Sequence, residues 1–132
     1  MQKIFGTSTL HWLSLKSRNK VIDAALNNGF EQFDTAGVYA LGATNKYLGS
    51  LGLPKNICFS AKLGLTSGKT FGFSRLEVFS RKLLFPNISK IKEDNCYSNW
   101  RQQFETQMLD LRVSKVQRLL LHERFINIEL WQ

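Results

Sequence analysis

Three residues that each end a short apolar run, Gly6, Asp34 and Lys62, stand 28 positions apart. That interval holds one strand, one helix and two short connections. Its repetition restricts the chain to strand–helix units whose strands lie side by side. The runs read as strands over Lys3 to Gly6, Phe30 to Asp34 and Ile57 to Lys62, the last with Ile57 and Phe59 on one face and Cys58 on the other. A fourth run, Val116 to Leu121, ends on Leu119-Leu120-Leu121, the near-continuous apolar composition of a strand buried on both faces. His122 follows it, 60 positions after Lys62, as expected if one connection carries an insertion about one unit long.

The segments between the strands have helical spacing. Ser17 is placed to cap a helix with inward positions Val21, Ala24, Ala25 and Asn28, stopped by Gly29. Thr44 or Ala43 opens a second helix, with Leu48 and Leu51 inward and Gly52 and Pro54 at its end. Asn95 or Ser98 opens a third, in which Trp100, Phe104, Met108 and Leu111 form a stripe that suits a core better than a cofactor box. Residues 63–94 read as irregular, a flap near the active end, although Arg75 to Leu84 can form a short helix of its own.

Strand–helix repeats with buried strands predict an α/β fold with a parallel sheet and helices outside. Four such units are half of a (β/α)8 barrel, which takes about 250 residues. The expected architecture of 1–132 is therefore the first half of a barrel, with four strands, three to four helices and a long insertion at 63–94. Such a sheet has open edges on its first and fourth strands, so self-association is expected.

Composition narrows the partners. The chain is 43% hydrophobic and 21% charged, which suits a globular domain. No apolar run approaches the roughly 18 residues of a membrane span, and the start lacks the apolar stretch of a secretory signal. Cys58 and Cys96 share no short metal-type spacing and are expected as free thiols in a cytoplasmic protein. The formal charge of +8 is spread along the chain. Only Lys69 to Lys92 is locally basic, and it carries Phe71, Phe73, Phe79 and Phe85. A nucleic-acid surface of cations and aromatics would look like this, but a solvated loop and helix face accounts for it more simply. No nucleic-acid or membrane partner is expected.

Asp34, Lys62 and His122 each end a predicted strand, and Tyr39 lies five residues beyond Asp34. The strand C-termini are where barrels of this kind build their sites. An ammonium beside a phenol favours the phenolate, a carboxylate keeps the ammonium charged, and an imidazole can donate to a carbonyl oxygen. Singly, each residue has an ordinary explanation as a helix cap, a solvent-reaching lysine or a structural histidine. The four in order on successive units are harder to dismiss.

The residues Gly29-Phe30-Glu31-Gln32-Phe33-Asp34-Thr35-Ala36-Gly37-Val38-Tyr39, followed by Leu48-Gly49, resemble the aldo-keto reductase signature. Ser60-Ala61-Lys62 is similar to that family's third-strand lysine motif, Leu119-Leu120-Leu121-His122-Glu123 to its fourth-strand histidine motif, and Phe5-Gly6-Thr7 to its opening Gly-Thr. The resemblance implies Tyr39 as proton donor, Lys62 and Asp34 tuning it, and His122 orienting a substrate carbonyl. It also implies that Gly6, Thr7 and Asp34 touch the nicotinamide ribose of NADP(H), with no metal. The implied reaction is hydride transfer between the cofactor and an aldehyde or ketone, or its reverse from the alcohol. Two positions depart from the pattern. Ala40 stands where glycine commonly follows the tyrosine, and Asn45 replaces a glutamate at the start of the second helix.

In this family the later strands hold most of the dinucleotide, and they are expected to lie outside these 132 residues. Two functional classes therefore remain open: an NADP-linked oxidoreductase, or an inactive remnant or chain that works only with a partner.

Overall fold

The computed structural model describes residues 3–94 and 96–121. Four strands, β1 (Ile4–Gly6), β2 (Gln32–Asp34), β3 (Cys58–Leu63) and β6 (Arg118–Leu121), form one sheet in the order β1-β2-β3-β6, and every pairing is parallel. The helices α1 (Leu15–Asn27), α2 (Ala43–Ser50) and α5 (Tyr97–Leu111) supply the crossovers. Side chains alternate along each strand, which gives the two faces different jobs. Phe5, Phe33 and Phe59 point to the helices and pack edge-on or tilted, with ring centroids 5.3 and 6.1 Å apart. Ile22 and Ala25 of α1, Tyr47 and Leu48 of α2 and Leu111 of α5 close that core. The opposite face carries Gln32, Asp34, Ser60 and Lys62, and the Gln32 amide donates to the Ser60 hydroxyl at 2.6 Å.

Several local expectations need correction. Helix α1 is capped by Ser14, whose side chain accepts from the Ser17 backbone N–H, so its cap lies three residues before the predicted one. Ala24 and Asn28 are exposed, and the buried stripe is Arg18, Ile22 and Ala25. Arg18 is tolerated there because its guanidinium donates to the carbonyls of His11, Leu13 and Phe73. Gly29, at φ +73°, stops the helix as predicted. In α5 the buried residues are Trp100, Gln107 and Leu111, while Phe104 and Met108 are only half-buried. The largest correction concerns β6. Leu119, Leu120 and Leu121 are 50%, 42% and 42% exposed rather than buried on both faces, because β6 is an edge strand and no described element packs against its outer side.

The stretch 63–94 is more ordered than predicted. It contains α3 (Arg75–Leu84), α4 (Pro86–Ser89) and a two-stranded antiparallel ribbon of β4 (Leu65–Thr66) with β5 (Lys92–Glu93). It folds back over the loop that follows β2: the Lys69 ammonium donates to the Gly37 carbonyl at 2.8 Å and the Thr70 N–H to that of Leu41 at 3.0 Å. Val78 of α3 packs on Ala40 and Ala43. Helices α2 and α5 cross closely at Gly49, where a Cβ would lie 2.1 Å from the Asp110 carbonyl oxygen. Among the described residues no helix is long and apolar enough to cross a membrane, and Cys58 and Cys96 are free thiols.

Candidate active site

Parallel register sets the first contact. Asp34 pairs with Ser60, so Lys62 lies on the same face of the neighbouring strand, two residues nearer its C-terminal end. From there the Lys62 ammonium reaches Asp34 Oδ2 at 2.6 Å and the Tyr39 hydroxyl at 3.0 Å. It also stands 5.5 Å from the centroid of the Tyr39 ring. The lysine and aspartate side chains are 19% and 25% exposed, so the cluster is partly dry yet open to a ligand. Burial works against the Lys62 charge, but the hydrogen bonds it donates to Asp34 and Tyr39 outweigh it and hold the Lys62 pKa above the ordinary lysine value.

The backbone that aims these groups is fixed from several sides. Both the N–H and the hydroxyl of Thr7 donate to the Asp34 carbonyl, at 3.1 and 2.9 Å. Thr7 is fully buried, and these two bonds anchor the end of β2. Thr35, next in the chain, donates its hydroxyl to Asn45 Oδ1, which gives the departure at position 45 a structural use. Tyr39 opens a tight turn, Tyr39–Gly42, in which Ala40, Leu41 and Gly42 are all left-handed, with φ of 50°, 57° and 83°. The alanine at position 40 therefore occupies a backbone conformation that favours glycine. Contacts from 63–94 overdetermine the turn, and Tyr39 still meets Lys62.

One residue of this setting was missed from sequence. The Gln107 side chain donates to the Lys62 carbonyl at 2.8 Å, and its Cγ would lie 3.1 Å from a Cβ at Gly37. It therefore buttresses both the strand end carrying Lys62 and the turn carrying Tyr39. The sequence signal was a glutamine beside an apolar helical stripe. Gly6 pairs with Asp34 at the end of β1, where an added Cβ would meet nothing within 4 Å. His122 lies outside the described residues. Its predecessor Leu121 pairs with Leu63, one residue beyond Lys62.

Three of the four predicted reacting groups thus meet at one point. The family model for the Aldo/keto reductase family matches residues 4–129. The chain belongs to the aldo-keto reductase family. Solved aldo-keto reductases share its fold. A structure from Pseudomonas aeruginosa assigned to this family superposes with a TM-score of 0.72 at 16% identity, over 98% of this chain and 45% of that one. The glycerol dehydrogenase of Gluconobacter oxydans gives 0.69 at 24% identity, over 93% and 36% of the two chains. An aldo-keto reductase of Bacillus halodurans gives 0.70 at 17%, over 96% and 37%. No curated protein matches it. The chain spans less than half the length of the solved structures it matches. Its four parallel strands and their helices are the first half of an aldo-keto reductase barrel.

Proposed function

We propose that this chain carries the proton-donating side of a carbonyl-reduction site, with Tyr39 as general acid toward an aldehyde or ketone and NADP(H) as the redox cofactor. The observation that carries the reading is the Lys62 ammonium held between Asp34 and the Tyr39 hydroxyl. An ammonium bonded to a phenol oxygen stabilises the phenolate that remains after the proton has gone to a substrate oxygen. The Asp34 carboxylate keeps that ammonium protonated and fixes its direction. Run backwards, the same groups take the proton from an alcohol. His122, by family resemblance, orients the carbonyl.

The residues present fit the ribose end of a nicotinamide cofactor. Gly6 offers bare backbone beside the level of Asp34, and a quarter of the Asp34 side chain is accessible. When bound, a reduced nicotinamide supplies the hydride that the carbonyl carbon requires.

Titrating the 132-residue chain with NADPH, followed by cofactor fluorescence and then addition of a broad aldehyde, tests this reading. Saturable binding followed by aldehyde-dependent oxidation supports the reading. Tyr39→Phe should slow oxidation by about 100-fold or more while leaving binding unchanged, the size of a lost general acid. Absence of binding at millimolar cofactor would leave an inactive relative of the family.

A second reading is favoured by β6. Its exposed leucines border a pocket of about 340 Å³ shared with Tyr97, Trp100 and Phe104 of α5. In this reading the site turns over only when another polypeptide covers the open sheet edges.

A further inference from the structure

Helix α3 is amphipathic the unusual way round. Leu76 is 80% exposed, and Phe79, Leu83 and Leu84 are each 67% exposed. At 100° per residue these four positions fall within an arc of about 140°, and the buried Val78 points the opposite way. The apolar arc therefore faces solvent, while one valine secures the helix to Ala40 and Ala43. Arg75 and Lys82 flank the arc on one side and Arg81 on the other. The helix's single acid, Glu77, is already engaged by Arg81 at 3.2 Å and by the backbone N–H groups of Phe71 and Gly72.

Aromatic residues with cations above them extend the face. Trp12 is 66% exposed with the Lys82 ammonium 5.8 Å from its ring, and Phe71 is 90% exposed beneath the Arg81 guanidinium at 4.7 Å. A pocket of about 410 Å³ opens between Trp12 and the Phe79 and Leu83 side of α3. Ile88 of α4 is exposed as well.

The charge pattern selects among occupants. A second copy docking through the same face would set cations against cations. An anionic lipid surface satisfies both halves of the pattern: the acyl boundary takes the apolar arc, and the headgroups take the flanking cations.

We propose that α3, with Trp12 beside it, is an interfacial docking helix that lies in the headgroup plane of an anionic bilayer. The formal charge of +8 adds long-range attraction toward such a surface. The absence of a long apolar run argues against a spanning segment and leaves an interfacial helix open.

Co-sedimentation with phosphatidylcholine vesicles, with and without phosphatidylserine, tests the proposal on the whole chain. Partition onto the anionic vesicles should exceed that onto neutral ones by about tenfold or more and weaken with salt. Leu76→Asp with Phe79→Asp should abolish binding, and Arg75→Gln with Lys82→Gln should lower it by about tenfold. Far-UV circular dichroism should be unchanged in both variants, since all four side chains are exposed. Equal binding to neutral vesicles, or undiminished binding by the double aspartate variant, would overturn the proposal. So would lipid-free association in sedimentation velocity that the aspartates abolish, which would give the face to a second copy.

Discussion

Lys62 loses part of its hydration at the end of β3 and gains two oxygen acceptors, and the gain wins. Asp34, Tyr39 and Lys62 were legible in the sequence because each stands at or just beyond a strand end, inside a motif of fixed spacing. The Asp34–Lys62 contact follows from period-two alternation and parallel register, whereas Tyr39 is brought in by the turn after β2. Ala40 was legible only as a departure, and the structure gives its meaning: the position needs φ near +50°. A left-handed non-glycine residue costs about 1–2 kcal/mol. Ala40→Gly should therefore stabilise the chain by about 1 kcal/mol once the greater freedom of unfolded glycine is set against that relief. Thermal denaturation should show a rise of roughly 3 °C. Unchanged or lower stability would mean that the Ala40 methyl packed on Val78 contributes at least as much as the strain costs.

At the level of elements, a cap and a stripe escaped the reading for different reasons. Ser14 and Ser17 both precede a run of helical character, and spacing alone cannot choose between them. The Ser14 side chain settles it by accepting from the Ser17 N–H at 3.2 Å. Ser14→Ala should cost about 1 kcal/mol in chemical denaturation, whereas a change of a few tenths would show that α1 is held by packing alone. In α5 an apolar stripe was visible, but burial at Gln107 was not, because a polar residue becomes buried only where a particular partner awaits it. That partner is the Lys62 carbonyl, brought close by the tertiary fold. The order within 63–94 was hidden likewise, since Lys69 and Thr70 find their acceptors on the turn after β2 and α3 leans on a single valine.

For the whole molecule, a pattern of apolar residues reported that β6 belongs in an interior without saying what surrounds it. Leu119-Leu120-Leu121 has the composition of a strand covered on both sides, yet stands at the sheet edge. Edges of this kind recruit other chains. Sedimentation velocity should show concentration-dependent association that Leu119→Lys with Leu121→Lys reduces, and a monodisperse monomer of the unaltered chain would count against it. The ladder has a further consequence for the chain's birth on the ribosome. None of the sheet's pairs is a local hairpin, and β3 must wait for β6 until everything through Gln117 has emerged. The ribbon and the two short helices between them therefore take shape beside a strand paired on one side only. Pairing at such a distance is slow and leaves the β3 edge exposed meanwhile, because it pays its entropy before its reward.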